Sequence, residues 1–215
     1  MAFKHKKPNT ITIMKKYLLI IILALFSFSA IHAEITWTLK RGTLTISGTD
    51  MPDYSMNGAP WCKYLAQINT VVIEDGVTSI GTFAFFSCFN FNSLSIPNSV
   101  KKIGDQAFYG CEALTSVTIP NSVTTIGNSA FFYCLGLTSI TISNSVKSIG
   151  EQAFGLCKDL TSITFEGITP PEFGKDAFRG VNKSIPVYVP ANSIEAYKEA
   201  LKDYFEESSI QALQH

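Results

Sequence analysis

The sequence predicts an α/β repeat solenoid, and three observations carry that prediction. Cys88, Cys111, Cys134 and Cys157 stand 23 residues apart without exception. The pairs Ile80-Gly81, Ile103-Gly104, Ile126-Gly127 and Ile149-Gly150 keep the same step. So do Ala84-Phe85, Ala107-Phe108, Ala130-Phe131 and Ala153-Phe154. A phrase that recurs at a fixed interval belongs to architecture, because a catalytic centre needs its residue types in one place only. A last turn follows 24 residues on, with Phe173-Gly174 and Ala177-Phe178. Its additional residue falls near Pro170-Pro171, and Val181 stands where the next cysteine would be.

A period near 23 matches leucine-rich repeats; paired-helix repeats need about 33 residues or more. Within one unit, Leu114, Val117 and Ile119 are the apolar places of an LxxLxL pattern, repeated at Leu137/Ile140/Ile142 and Leu160/Ile163/Phe165. Side chains alternate along a strand, so Val117 and Ile119 face inward and Thr118 outward. Asn121-Ser122, like Asn98-Ser99 and Asn144-Ser145, supplies the corner, and Pro97 and Pro120 stop the strand. The chain then re-enters the core through Val123, Ile126 and Phe131. One coil cannot bury its own apolar face; stacked neighbours do, which sets equivalent residues in columns about 4.8 Å apart.

The elements follow in chain order. Residues 1–33 read as a signal peptide: Lys15 and Lys16 precede an apolar run from Tyr17 to Phe28, and Ser29 to Ala33 offer small residues for cleavage. Met14-Lys15-Lys16 makes a good start by itself, which would make residues 1–13 a misassigned extension. Residues 34–67 form an N-terminal cap, with Ile35, Trp37 and Leu39 alternating as in a strand. Residues 68–183 hold about five 23-residue coils. Residues 184–215 form a C-terminal cap and tail: Ile185, Val187 and Val189 alternate, and Ile194, Tyr197, Leu201 and Tyr204 keep helical spacing. Asn192 with Glu195 resembles a capping box at the start of that helix.

The chain of 215 residues is 46% hydrophobic and 16% charged with no net charge, an ordinary globular composition. The leader holds five basic residues and no acidic ones, leaving 12 basic against 17 acidic residues, a net of −5, in the mature part. No basic stripe is present, so nucleic acid is not expected as a partner. A monomer is expected, without a membrane span once the leader is removed and without a cofactor.

The cysteine ladder, Cys88, Cys111, Cys134 and Cys157, is read as buried thiols, since a small apolar residue suits that column. Disulfides between rungs are the alternative, because neighbouring rungs lie within bonding separation and secretion removes the reducing compartment. Cys62 is either buried in the cap or a free thiol. No close cysteine pair or histidine completes a metal site. The histidines are His5, His32 and His215, so cleavage leaves only the terminal one, a poor partner for a serine or cysteine nucleophile. The glycines that follow each isoleucine are no phosphate loop, since no Lys-Ser/Thr follows. A carboxylate-dependent glycan hydrolase, built from a pair among Glu74, Asp75, Asp105, Glu151, Glu166 and Asp176, is a distant third reading.

The candidate protein-binding face is formed by outward strand residues in two columns: Ser93, Ser116, Ser139, Ser162 after Thr70, and Ser95, Thr118, Thr141, Thr164 after Val72. It is small, hydroxylated and nearly uncharged, and it lacks the Trp, Tyr and Arg that interface hot spots favour. The bland alternative is that such residues merely suit an exposed sheet. Lys101, Lys102, Lys147 and the aromatics Phe86, Tyr109 and Phe132, expected to be exposed, offer rims.

The units resemble those of the BspA-like bacterial leucine-rich-repeat proteins, with the phrase L-xx-I-xIP-xSV-xxIG-xxAF-xxC. The resemblance extends to Ile35–Met51 with Pro52 as a cap hairpin, to Pro60-Trp61 with Tyr64 and Ile68 as a bridge, and to Val187-Tyr188-Val189-Pro190 with Ser193 to Tyr197 as a C-terminal cap. It implies a secreted or cell-surface protein-binding module, with adhesion to host matrix proteins such as fibronectin and fibrinogen as a family activity. A periplasmic or envelope scaffold without a host ligand is the alternative, because the array is short and no anchoring module follows the cap.

Overall fold

The computed structural model describes residues 34–214. The signal-peptide reading of residues 1–33, and the three histidines, lie outside the described residues. The described part opens on an antiparallel hairpin of β1 (Thr36–Lys40) and β2 (Thr43–Ser47), in which Trp37 lies opposite Ile46. A short 3₁₀ helix, Cys62–Gln67, leads into the coils. Each coil then gives one longer and one very short strand: β3 (Thr70–Ile73) with β4 (Ser79–Ile80), β5 (Ser93–Ser95) with β6 (Lys102–Ile103), and β7 (Ser116–Ile119) with β8 (Thr125–Ile126). β9 (Ser139–Ile142) with β10 (Ser148–Ile149) and β11 (Ser162–Phe165) with β12 (Glu172–Phe173) complete the series. The C-terminal part holds β13 (Val187–Val189), helix α1 (Ile194–Leu201) and β14 (Ile210–Ala212).

The longer strands line one side and the short ones a second. The short strands form a parallel ladder in the order β4, β6, β8, β10, β12. The longer ones fall into two sheets, β1-β2-β3-β5 and β7-β9-β11-β13-β14. The break between β5 and β7 coincides with Phe91, a ring where Leu114, Leu137 and Leu160 stand in later coils. Leu94 and Ile96 are only half-buried there, whereas their counterparts Val117 and Ile119 are buried. Threonine hydroxyls mark the seam: Thr138 and Thr161 donate to the carbonyls of Thr115 and Thr138 at 2.9 and 3.0 Å, but Thr115 reaches that of Asn92 only at 3.4 Å.

The core is a set of columns. Phe85, Phe108, Phe131, Phe154 and Phe178 stack at centroid spacings of 5.1, 5.0, 5.3 and 5.5 Å, and Trp61 caps the row at 5.6 Å from Phe85. Trp61 donates its indole N–H to the Ala84 carbonyl at 2.8 Å, so the ring is buried with its polar atom satisfied. The isoleucine-glycine step has a steric cause. A Cβ on Gly127 would stand 2.6 Å from the Asp105 nitrogen one coil back, so only glycine lets the rungs close to their hydrogen bonds. At the next corner the Asp105 and Asn128 side chains each accept the backbone N–H of the following coil, from Asn128 and Glu151, at 2.8 Å.

The ends are covered as the sequence predicts, with differences in detail. Tyr197 on α1 is buried, packs on Phe165 at 5.1 Å and donates its hydroxyl to the Gly167 carbonyl at 2.9 Å. The capping box does not form. Asn192 lies inside a 3₁₀ turn, Ala191–Ser193, so the helix is capped at Ser193 without a side-chain bond, and Glu195 pairs with Lys198 at 3.0 Å. The tail is not structureless: β14 pairs in parallel with β13, setting Ile210 beside Val187.

Candidate protein-interaction surface

The strand face is built by alternation and register. Val117, Ile140 and Ile163 point into the core, so Ser116 and Thr118, Ser139 and Thr141, and Ser162 and Thr164 point out. Parallel pairing sets Ser116 beside Ser139 and Ser162, and Thr118 beside Thr141 and Thr164. On the other side of the seam, Ser93 and Ser95 stand beside Thr70 and Val72. The two columns run on into the caps, through Thr43 and Thr45 at one end.

At the other end the register places Tyr188 beside Thr164, and Gln211 beside Tyr188. The face therefore does carry a tyrosine, half-buried and outward between the buried Val187 and Val189. The one additional residue of the last coil hides this in the sequence, since Tyr188 follows Thr164 by 24 residues and not 23.

The threonines that immediately precede the strands use their hydroxyls differently from the residues of this face. Thr115, Thr124, Thr138 and Thr161 spend their hydroxyls on carbonyls of the preceding coil. Among the described residues, the side-chain hydroxyls of Ser93, Ser95, Ser116, Thr118, Ser139, Thr141, Ser162 and Thr164 make no hydrogen bond within the protein, although their backbones are paired in the sheets. Eight donor–acceptor groups are thus presented at strand spacing with no charge among them. Charge sits at the margins: Glu74, at the end of β3, accepts a hydrogen bond from Ser47 at 2.6 Å, and Glu166 is exposed beyond β11.

The proposed rims differ from expectation in one respect. Lys101, Lys102 and Lys147 are exposed. Phe86, Tyr109 and Phe132 are not; they stack on one another at 4.9 and 5.2 Å and are half-buried, because each ring covers the faces of the next. Exposed large apolar side chains lie elsewhere, at Met56, Phe89, Tyr133 and Ile168.

The cysteine column lies inside the coil. Cys88, Cys111, Cys134 and Cys157 are buried free thiols, and Val181, buried as well, continues their column. The thiols of Cys111, Cys134 and Cys157 donate to the carbonyls of Phe85, Phe108 and Phe131 at 3.3, 3.2 and 3.2 Å. Burial pushes all four thiols up, so they stay protonated and inert. Cys62 is half-buried, and burial raises its thiol too. No group of three or more metal-ligating side chains forms among the described residues. Of the hydrolase carboxylates, Asp105 and Glu74 are engaged by neighbours as described above. Asp53, which the sequence did not single out, accepts the Thr82 backbone N–H at 2.6 Å, and that bond holds its carboxyl below the usual range.

A profile of the BspA type leucine rich repeat region matches this architecture in six copies over residues 61–211. The chain belongs to the BspA-type leucine-rich-repeat family. The match runs through β13 to β14, so the family's repeat continues into the segment that the 23-residue spacing alone reads as a cap. No curated protein matches the chain. Among solved structures, the pneumococcal vaccine antigen PcpA superposes with a TM-score of 0.54 at 23% identity, over 69% of this chain and 36% of that one. A leucine-rich repeat protein from Eubacterium ventriosum superposes with a TM-score of 0.50 at 22% identity, over 74% and 64%. The chain thus spans about a third of the pneumococcal antigen and just under two thirds of the Eubacterium protein. At these identities the likeness is one of fold. No described helix is long and apolar enough to cross a membrane.

Proposed function

We propose that the chain is a non-enzymatic protein-binding module, exported to the outside of a bacterial cell, that holds a host matrix protein on its strand face. The observation that supports this is the pair of outward columns with eight unspent hydroxyls, bounded by Tyr188. Broad, shallow solenoid faces serve extended protein ligands, and a tyrosine at one end provides the kind of anchor on which interface energy concentrates. Hydroxyls without charge suit a ligand met through many modest hydrogen bonds, each worth about 1 kcal/mol net.

The test is binding of the purified chain to immobilised fibronectin and fibrinogen, beside unrelated control proteins. A companion variant carries Ser116→Glu, Thr118→Lys, Ser139→Glu and Thr141→Lys, all outward side chains without internal hydrogen bonds, so the fold is kept. Saturable binding by the chain and loss in the variant support the proposal. No retention by either matrix protein refutes the adhesin reading, and binding that survives in the variant removes it from the strand face.

A further inference from the structure

A second surface lies on the turn side of the coil. Each coil there carries a residue in the left-handed region, in the column Ser87 (φ 54°), Gly110 (φ 69°), Tyr133 (φ 62°) and Leu156 (φ 59°). Gly110 adds no side chain between Ser87 and Tyr133, and a notch of about 330 Å³ opens at that point. Phe89 and Tyr133 line it together with Tyr109, and Glu112 is the one charged residue among its lining.

Exposure sets the notch apart. Phe89 is 46% exposed and Tyr133 37%, so two of the four exposed large apolar side chains among the described residues meet here. The left-handed backbone belongs to the coil, since Ser87 and Leu156 share it, but Gly110 shows that the fold needs no ring at this place.

We propose that this notch receives an arginine side chain of a partner protein. A guanidinium is planar, stacks on aromatic faces and carries a charge that a carboxylate can pair. Phe89 and Tyr133 supply the faces and Glu112 the pairing charge. The wider charge agrees, since residues 34–215 hold 12 basic against 17 acidic residues and attract cationic partners. Lysine offers the charge without the plane. A neutral sugar ring offers a flat face but gains nothing from Glu112. The notch and the strand face are separate surfaces, so this inference stands whether or not the strand face binds.

The experiment is an NMR titration of the ¹⁵N-labelled protein with N-acetyl-arginine amide, its neutral isostere N-acetyl-citrulline amide, and methyl glucopyranoside. Saturable shifts confined to the amides of Phe89, Gly110, Glu112 and Tyr133 are expected with the arginine probe. Binding falls about fivefold with citrulline and about fivefold in Glu112→Gln, the loss of one charged contact at an exposed site. Tyr133→Gly abolishes it while melting no lower than the parent, because glycine relieves the left-handed strain. Absence of localised shifts overturns the proposal, as do equal shifts from arginine and citrulline, or stronger shifts from the pyranoside.

Discussion

Replacing Gly127 by alanine tests the packing rule on which the coil depends. The new Cβ would stand 2.6 Å from both the Asp105 nitrogen and the Gly104 carbonyl carbon, and 2.5 Å from a carboxylate oxygen of Asp105. Ordinary contact begins near 3.4 Å, so the two rungs must part by about 0.8 Å. That movement stretches the bond from the Gly127 N–H to the Ile103 carbonyl, now 2.9 Å, beyond useful length. It also strains the Asn128 N–H bond to Asp105, now 2.8 Å. Overpacking costs about 1–3 kcal/mol, and a lost hydrogen bond adds about 1 kcal/mol. The sum is about 3 kcal/mol, which lowers the melting temperature of a domain this size by about 10 °C. The control is Gly110→Ala, where the nearest atom would lie at an ordinary 3.5 Å and the cost comes from a positive φ alone, about 1 kcal/mol. Thermal melts followed by circular dichroism compare the two. A Gly127→Ala protein that melts no lower than Gly110→Ala would refute the close-approach argument.

Three further outcomes follow from the same structure. Native protein titrated with an aromatic disulfide reagent releases one equivalent of thiolate slowly, from Cys62, and five after denaturation; rapid release of more than one shows the ladder to be accessible. Because burial raises the Cys62 thiol above its ordinary 9.0, its rate keeps climbing above pH 9, where a free thiol has begun to level off. Tyr197→Phe leaves the Gly167 carbonyl without its donor and costs about 1–2 kcal/mol in thermal or urea unfolding. Asp53 titrates lower folded than unfolded, so its stabilising contribution is complete above its unfolded value and is lost as the pH falls through the folded one. Asp53→Asn should flatten the acid side of a stability–pH curve, and an unchanged curve removes Asp53 from that account.

How far the fold could be read depended on whether a residue kept the period. Phe85 to Phe154, the thiol column and the isoleucine–glycine step all kept it, so their burial and stacking followed from spacing. The outward serines and threonines followed in turn, because alternation about Val117 or Ile140 admits no other placement. Tyr188 was missed as part of that face because the residues near Pro170-Pro171 shift the register just before it. The two-residue strands such as Thr125–Ile126 carry too little pattern to announce a sheet; they form because hydrogen bonds to the neighbouring rungs are available on both sides. β14 likewise forms by pairing with β13, a contact that Ile210-Gln211-Ala212 alone does not suggest. The stacking of Phe86, Tyr109 and Phe132 shows the opposite error: a polar-looking turn hid rings that cover one another. The notch at Gly110 arises where a repeat position turns small between larger neighbours, which only the stacked columns reveal.

The most direct test of the strand-face account is oxidative footprinting of the chain with fibronectin or fibrinogen added. Tyr188 reports on the strand face, while Tyr133 and Met56 report on other exposed surfaces. The account predicts that the bound ligand shields Tyr188 several-fold and leaves Met56 unchanged. Tyr188 as reactive in the complex as in the free chain would contradict it.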